Sequence, residues 1–305
     1  MKILLLGKDG QLGWELQRAL APLGELIAPG RSGAAGACGD LSRPEELAAT
    51  VAALQPQVIV NAAAFTAVDR AEQETALARQ VNALAPQRLA QAAQALGAWM
   101  VHFSTDYVFD GSGDLPWRED DAPAPLNAYG QTKLEGERAV RQACARHLVL
   151  RTSWVYGARG GNFAKTMVRL ASQREALQVV DDQVGAPTGA ELVADITAHA
   201  LRHALRAPQV AGTYHLAAAG ATSWHGYATH VLRRAAALGR TLKVAPDAVR
   251  PIASADYPTP ARRPLNSRLD TRRLADTFGL HLPPWQQGVD RMLDEWLGAG
   301  EAPGA

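Results

Sequence analysis

Short apolar runs alternate with amphipathic stretches through the first half of the chain. Lys2–Leu6 reads as a buried strand, and apolar positions from Gln11 to Leu20 recur with helical spacing. Gln57–Val60 and Met100–Ser104 read as further buried strands. Between them a long helical pattern runs from Ala71 to Leu96 and stops at Gly97. His147–Arg151 is another strand, preceded by a helical pattern with a Glu-rich start over Lys133–Val140. This β-α-β alternation predicts an α/β fold: a Rossmann-like, doubly wound parallel sheet covered on both faces.

The second half is more broken. Helices are expected near Asn162–Gln173, Glu191–Leu205, Ser223–Leu238 and Trp285–Leu297, with strands at Leu177–Val180 and Thr213–Leu216. Pro-rich connections from Pro246 to Pro264 predict a smaller, irregular C-terminal lobe beside the sheet. The expected division places residues 1–157 in a dinucleotide-binding domain, to which 188–219 returns. Residues 158–187 and 220–297 form the expected substrate-binding lobe, and 298–305 reads as a disordered tail.

Charge narrows the function classes. The chain carries 31 basic against 30 acidic residues in 305, so nothing electrostatic points to nucleic acid or an anionic membrane. The apolar run Ile3–Leu6 is cut off by Gly7 and is too short for a signal peptide, and no later run reaches transmembrane length. Cys38 and Cys144 lack metal or redox spacing, so they read as two reduced thiols of a cytoplasmic protein.

Gly7-x-x-Gly10-x-x-Gly13, with Gln11 and Leu12 inside it, falls where the first strand turns into the first helix. Glycines there allow a tight turn, close approach of backbone to a pyrophosphate and tight helix–strand packing, and the helix N-terminus favours an anion. After the second strand the chain reads Ala28-Pro29-Gly30-Arg31-Ser32, with no carboxylate for a ribose 2′-hydroxyl and a guanidinium suited to a 2′-phosphate. NADPH is therefore the expected cofactor, with NADH as a second acceptable one. Asp40-Leu41 precedes the next helix, where Asp40 either flanks the adenine or caps the helix. Ala63, Ala64 and Thr66 follow the third strand, where small residues let the chain pass beneath a dinucleotide.

Tyr129 and Lys133 have the spacing Tyr-x-x-x-Lys, which places both side chains on one helix face. An ammonium beside a phenol favours the phenolate and makes a general acid/base usable near neutral pH. Ser104-Thr105-Asp106-Tyr107 ends the fourth strand, where open α/β sheets bind ligands and where a hydroxyl can meet a substrate carbonyl.

With these motifs in this order, the chain resembles the extended short-chain dehydrogenase/reductases, and within them the dTDP-4-dehydrorhamnose reductase family. The resemblance covers nearly the whole length. It rests on Gly10-Gln11-Leu12-Gly13, Asn61-Ala62-Ala63-Ala64, Ser104 to Phe109, Pro125 to Gly130 and Arg151 to Tyr156. It continues through Gly161 to Lys165, Asp182 to Thr188 and Arg263 to Asp270. The resemblance implies NADPH-dependent reduction of the C4 ketone of dTDP-4-dehydro-L-rhamnose. Tyr129 would supply the proton, Lys133 would hold the nicotinamide ribose and lower the Tyr129 pKa, and Thr105 would donate to the oxyanion. Asp106, Trp154 and Asn162 are expected in the substrate site, with Lys165, Arg262 and Arg263 as candidates for the diphosphate. The family also implies a homodimer around a magnesium ion, for which Glu15, Glu191 and Glu295 are the candidate ligands.

Two rivals share the scaffold. Nucleotide-sugar dehydratases follow the Ser-Thr-Asp segment with a glutamate, whereas here Tyr107 follows and cannot act as that carboxylate. A non-catalytic subunit, such as the NADP-binding regulatory subunit of methionine adenosyltransferase, does not need the chemistry that Thr105, Tyr129 and Lys133 retain.

Overall fold

The computed structural model describes residues 1–33 and 37–298. The chain opens with β1 (Lys2–Leu6), α1 (Gln11–Leu20), β2 (Glu25–Ile27), α2 (Pro44–Leu54) and β3 (Val58–Asn61). Then come α3 (Val68–Gln73), α4 (Thr75–Arg79), α5 (Ala85–Leu96), β4 (Trp99–Thr105), α6 (Ala128–Ala143) and β5 (His147–Thr152). The short β6 (Val155–Tyr156), α7 (Phe163–Gln173), β7 (Gln178–Val180), β8 (Val184–Gly185) and β9 (Thr188–Gly189) follow. The chain continues through α8 (Ala190–Ala204), β10 (Gly212–His215), β11 (Thr222–Ser223) and α9 (Trp224–Ala237). It closes with β12 (Arg250–Ile252), α10 (Arg272–Phe278) and α11 (Trp285–Gly298).

Six strands form one parallel sheet in the order β10-β5-β4-β3-β1-β2. All seven residues of β4 are buried, as a strand covered on both faces requires. One face packs Ile3, Leu5, Val58, Val60 and Val101 against Leu16 and Leu20 of α1 and Val193 and Leu201 of α8. The other packs Leu4, Leu6, Ile59 and Met100 against Leu47 of α2, Leu89 of α5 and Val140 of α6. Burying a side chain of this size contributes about 1.5–3 kcal/mol. Strand order reverses at β1, between β2 and β3, and an open sheet binds its ligand in the crevice at such a point. A second core, built on Met167, Val168, Tyr227, Val231, Trp285 and Val289, belongs to α7, α9 and α11.

The helical pattern from Ala71 to Leu96 is not one helix. It starts at Val68, breaks at Glu74 and passes through a π-helical turn over Gln80–Leu84 before α5. Pro86 explains the turn. It has no N–H for the carbonyl four residues back, that of Asn82, and its ring would strike that oxygen. The turn closes instead with the Ala85 N–H donating to the Gln80 carbonyl. The Asn82 carbonyl is left facing α6, and only a glycine fits there: a Cβ on Gly136 would land on that oxygen. The Pro-rich stretch also holds order, since β12 pairs in parallel with β7. The tail reading needs one correction, because Gly298 is the last residue of α11; residues 299–305 lie outside the described residues.

Candidate active site

The glycine turn is built for an anion. Gly7 has φ +88°, and a Cβ there would stand 2.6 Å from the Ala63 nitrogen beyond β3. A Cβ on Gly13 would land on the Gly7 carbonyl oxygen, so α1 crosses its own turn at backbone contact. No side chain caps α1 and its first turn holds no acid, so its leading N–H groups face the crevice without an internal partner. Gly13→Ala must push α1 off the turn at Gly7 and Lys8. NADP affinity measured by titration calorimetry is expected to weaken at least tenfold, which corresponds to about 1.4 kcal/mol.

Arg31 lies beyond β2 with its side chain exposed, and its Nε stands 3.5 Å from Asp40 Oδ1. Asp40 accepts the Ser42 N–H at 3.0 Å. Partial burial would raise its carboxyl, but the Ser42 bonds and the Arg31 guanidinium hold it below the usual value. It does not cap α2, which begins at Pro44 behind Arg43. The Leu41 side chain is buried in the core, while the backbone of Ala62 and Ala63 lies against Gly7.

A loop of the second half reaches this turn. Gln11 Nε2 donates to the Gly161 carbonyl at 3.4 Å, and Asn162 Nδ2 donates to the Gly157 carbonyl at 2.8 Å. Asn162 also caps α7 by accepting the Lys165 N–H. The Lys165 ammonium donates to the carbonyls of Ala158 and Gly160 and sits 5.2 Å from the Trp296 ring centre. Both side chains thus hold the 157–162 loop.

The candidate reacting groups gather where β4 ends. Asn127 caps α6 by accepting the Gly130 N–H at 2.8 Å, so Tyr129 stands in the first turn and Lys133 one turn on. The helix starts five residues before its Glu-rich stretch, at Ala128. Burial pushes the Tyr129 phenol up to about 12, against a lowering contribution from the Thr105 hydroxyl. The Lys133 ammonium donates to the Phe103 carbonyl at 2.6 Å, and burial brings it down to about 8. The expected lowering of Tyr129 by Lys133 is therefore not found in the protein alone. Lost hydration outweighs the lowering by the Thr105 hydroxyl, and Tyr129 remains a phenol at neutral pH, the form that gives a proton.

Thr105 Oγ1 donates to Asp106 Oδ1 at 3.0 Å and accepts the Tyr107 N–H at 3.2 Å. Tyr107 packs edge-on to Tyr129 with ring centres 5.6 Å apart. Trp154 has φ +48°, rare for a residue with a Cβ, and stacks on Trp224 at 3.7 Å. The Trp224 indole donates to Gln183 Oε1 at 3.1 Å. Arg263 is held by Asp69 at 2.9 Å, whereas Arg262 is exposed and its carbonyl accepts Asn127 Nδ2 at 2.7 Å.

Sequence reasoning missed Trp224, Asp69 and Asn82. Asn82 accepts the Phe65 N–H at 2.8 Å and donates to Thr132 Oγ1 at 3.1 Å, joining the loop after β3 to the turn bearing Tyr129. Its signal was present: an asparagine inside an apolar helical pattern, four residues before a proline.

The three glutamates are partly drawn together. Glu191 is raised by burial and by the charges of Glu15 and Glu295, while Arg291, 3.4 Å away, opposes this. Among the described residues no group of three or more His, Cys, Asp or Glu is arranged to hold a metal ion, so the expected magnesium site does not form within one chain.

Comparison with known proteins fixes the family. The family model of the RmlD substrate binding domain matches residues 1–297. The dTDP-4-dehydrorhamnose reductase of Escherichia coli K12 is 57% identical over 295 residues, covering 97% of this chain and 98% of that protein. The chain belongs to the dTDP-4-dehydrorhamnose reductase family. Membership makes it an oxidoreductase. A crystal structure of such a reductase from Clostridium acetobutylicum superposes with TM-score 0.86 at 35% identity, covering 97% of this chain and 99% of that one. The Bacillus anthracis reductase, crystallised in complex with NADP, gives TM-score 0.84 at 32% identity over 96% of this chain and 99% of that one. Among the described residues no helix of this family member is long and apolar enough to cross a membrane.

Proposed function

We propose that this chain reduces the C4 ketone of dTDP-4-dehydro-L-rhamnose, with Tyr129 giving the proton. One observation carries the reading: a half-buried phenol and the Thr105 hydroxyl meet at the end of β4, two strands from an uncapped glycine turn. The name of the Escherichia coli relative supports the substrate, and the NADP complex of the Bacillus anthracis relative supports the cofactor. The glycine turn fits a dinucleotide, since Gly7 and Gly13 let it close against its own backbone while no side chain caps the N–H groups that open α1. Bound there, NADPH supplies a hydride.

The chain's own residues supply the rest. Gly10, Gln11, Leu12 and Gly13 present backbone to the pyrophosphate, and Ala63, Ala64 and Thr66 line the floor. Lys133 holds the nicotinamide ribose, and Thr105 supports the developing oxyanion. Asp106, Trp154 and Asn162 shape the sugar pocket, with the diphosphate assigned to exposed Arg262, helped by Arg263 and Lys165. The lobe of 158–187 and 220–297 closes this pocket over the domain of 1–157 and 188–219. The family's homodimer, with magnesium between copies of Glu15, Glu191 and Glu295, belongs to the same proposal; sedimentation with and without magnesium tests it.

Arg31 and Ser32 read as the 2′-phosphate site. The ratio of kcat/KM for NADPH over NADH is expected above one, and Arg31→Ala is expected to reduce it about tenfold. An unchanged ratio removes Arg31 from cofactor choice. The deciding experiment mixes the chain with NADPH and freshly made dTDP-4-dehydro-L-rhamnose and follows loss of the reduced-nicotinamide absorbance. No oxidation, with NADP still bound, would favour the non-catalytic binding subunit.

A further inference from the structure

We propose that Asp106 is the proton reservoir of the site, recharging Tyr129 through the Thr105 hydroxyl; the inference rests on the reductase reading above. A threonine hydroxyl has one proton and two acceptor lone pairs. Thr105 spends its proton on Asp106 Oδ1 and accepts the Tyr107 N–H, so it has nothing left to donate toward a substrate oxygen. Its part in the reaction needs the bond to Asp106 reversed, with the carboxyl as donor.

Asp106 suits that reversal. It is 2% exposed, and Oδ2 has no hydrogen-bond partner. Among the described residues no cation pairs with it. Tyr107 from its own segment, Tyr129 from α6 and Ser267 from the segment before α10 are the groups that face it. Arg263 and Asp69 lie near Tyr107 and are engaged with each other. Burial pushes the carboxyl up to about 6, while Ser267, without closing a bond to Oδ2, and Thr105 pull the other way.

The step balances. As the carbonyl carbon gains a hydride, its C=O π pair becomes a lone pair on oxygen. The Tyr129 O–H breaks and the product O–H forms. The phenolate takes the Thr105 proton, and Thr105 takes the proton of Asp106. The remaining carboxylate regains one from solvent between turnovers.

Steady-state reduction from pH 5 to 8 tests this. Wild-type kcat is expected to fall as pH rises through about 6. Asp106→Asn, whose amide cannot exchange a proton, should lose the inflection and about 10–10²-fold in kcat, with KM little changed. Thr105→Ser should keep the inflection and Thr105→Val lose it, a pair that carries the test if Asp106→Asn does not fold. Infrared difference titration without substrate adds a readout independent of turnover: a carboxyl C=O band titrating in that range and missing from Asp106→Asn. An active wild type with a flat profile overturns this inference alone, as does an Asp106→Asn enzyme with raised KM and intact kcat. A wild type inactive at every pH overturns the reductase reading and this inference with it.

Discussion

Tyr129→Phe will lower turnover by about 10²–10⁴-fold while NADP binding stays close to wild type. The substitution removes one oxygen from a ring that is half-buried and packed edge-on against Tyr107, so the site keeps its shape. It removes a phenol beside Thr105 that is held protonated at neutral pH; burial keeps it near 12, well above any assay pH. Rates with saturating NADPH, beside calorimetric NADP affinities, separate the two effects. Near-normal turnover would take Tyr129 out of the mechanism. A parallel loss of cofactor affinity would instead mean that the ring mainly shapes the crevice.

The largest stability effect is expected at Arg151, on β5. Its guanidinium grips Glu137 of α6 with two bonds of 2.9 and 2.8 Å, and both side chains are no more than 2% exposed. It also lies 5.1 Å from the Phe109 ring centre. Arg151→Met strands a buried carboxylate, so chemical denaturation should show a loss of about 3–5 kcal/mol. Adding Glu137→Leu should recover most of it, because the stranded charge, more than the missing attraction, carries the cost. A loss below about 1 kcal/mol in the single variant would mean that water reaches the pair. The pair joins the helix of Tyr129 to the sheet, so the single variant should lose activity before it unfolds.

Much of this site was legible because its signals are local. The glycine turn announces itself within seven residues, and Tyr129 and Lys133 within five. A buried parallel strand such as β4 shows as an unbroken apolar run. What escaped was set by distant parts of the chain. β6, β8, β9 and β11 are two residues each, too short to show a period, and exist only through their pairing partners. Asp69 meets Arg263 across 194 positions, and nothing beside either residue indicates the other. Nothing in the helical pattern near Ser223–Leu238 singles out Trp224, whose place is set by Trp154 stacking on it. The expected lowering of the Tyr129 pKa fails for a related reason: spacing shows which groups are neighbours but not how much water they lose.

The π turn at 80–84 sets an angle. Each α-helical residue swings the chain by about 100°, so the segment works as an azimuthal spacer between α4 and α5. Deleting any one of its residues would turn everything upstream by more than a quarter circle. Arg79 would swing off Glu135, and Asn82 off Phe65. Along this stretch the chain therefore tolerates a change of residue more readily than a change of count. The constraint it carries is an integer, invisible in any single side chain.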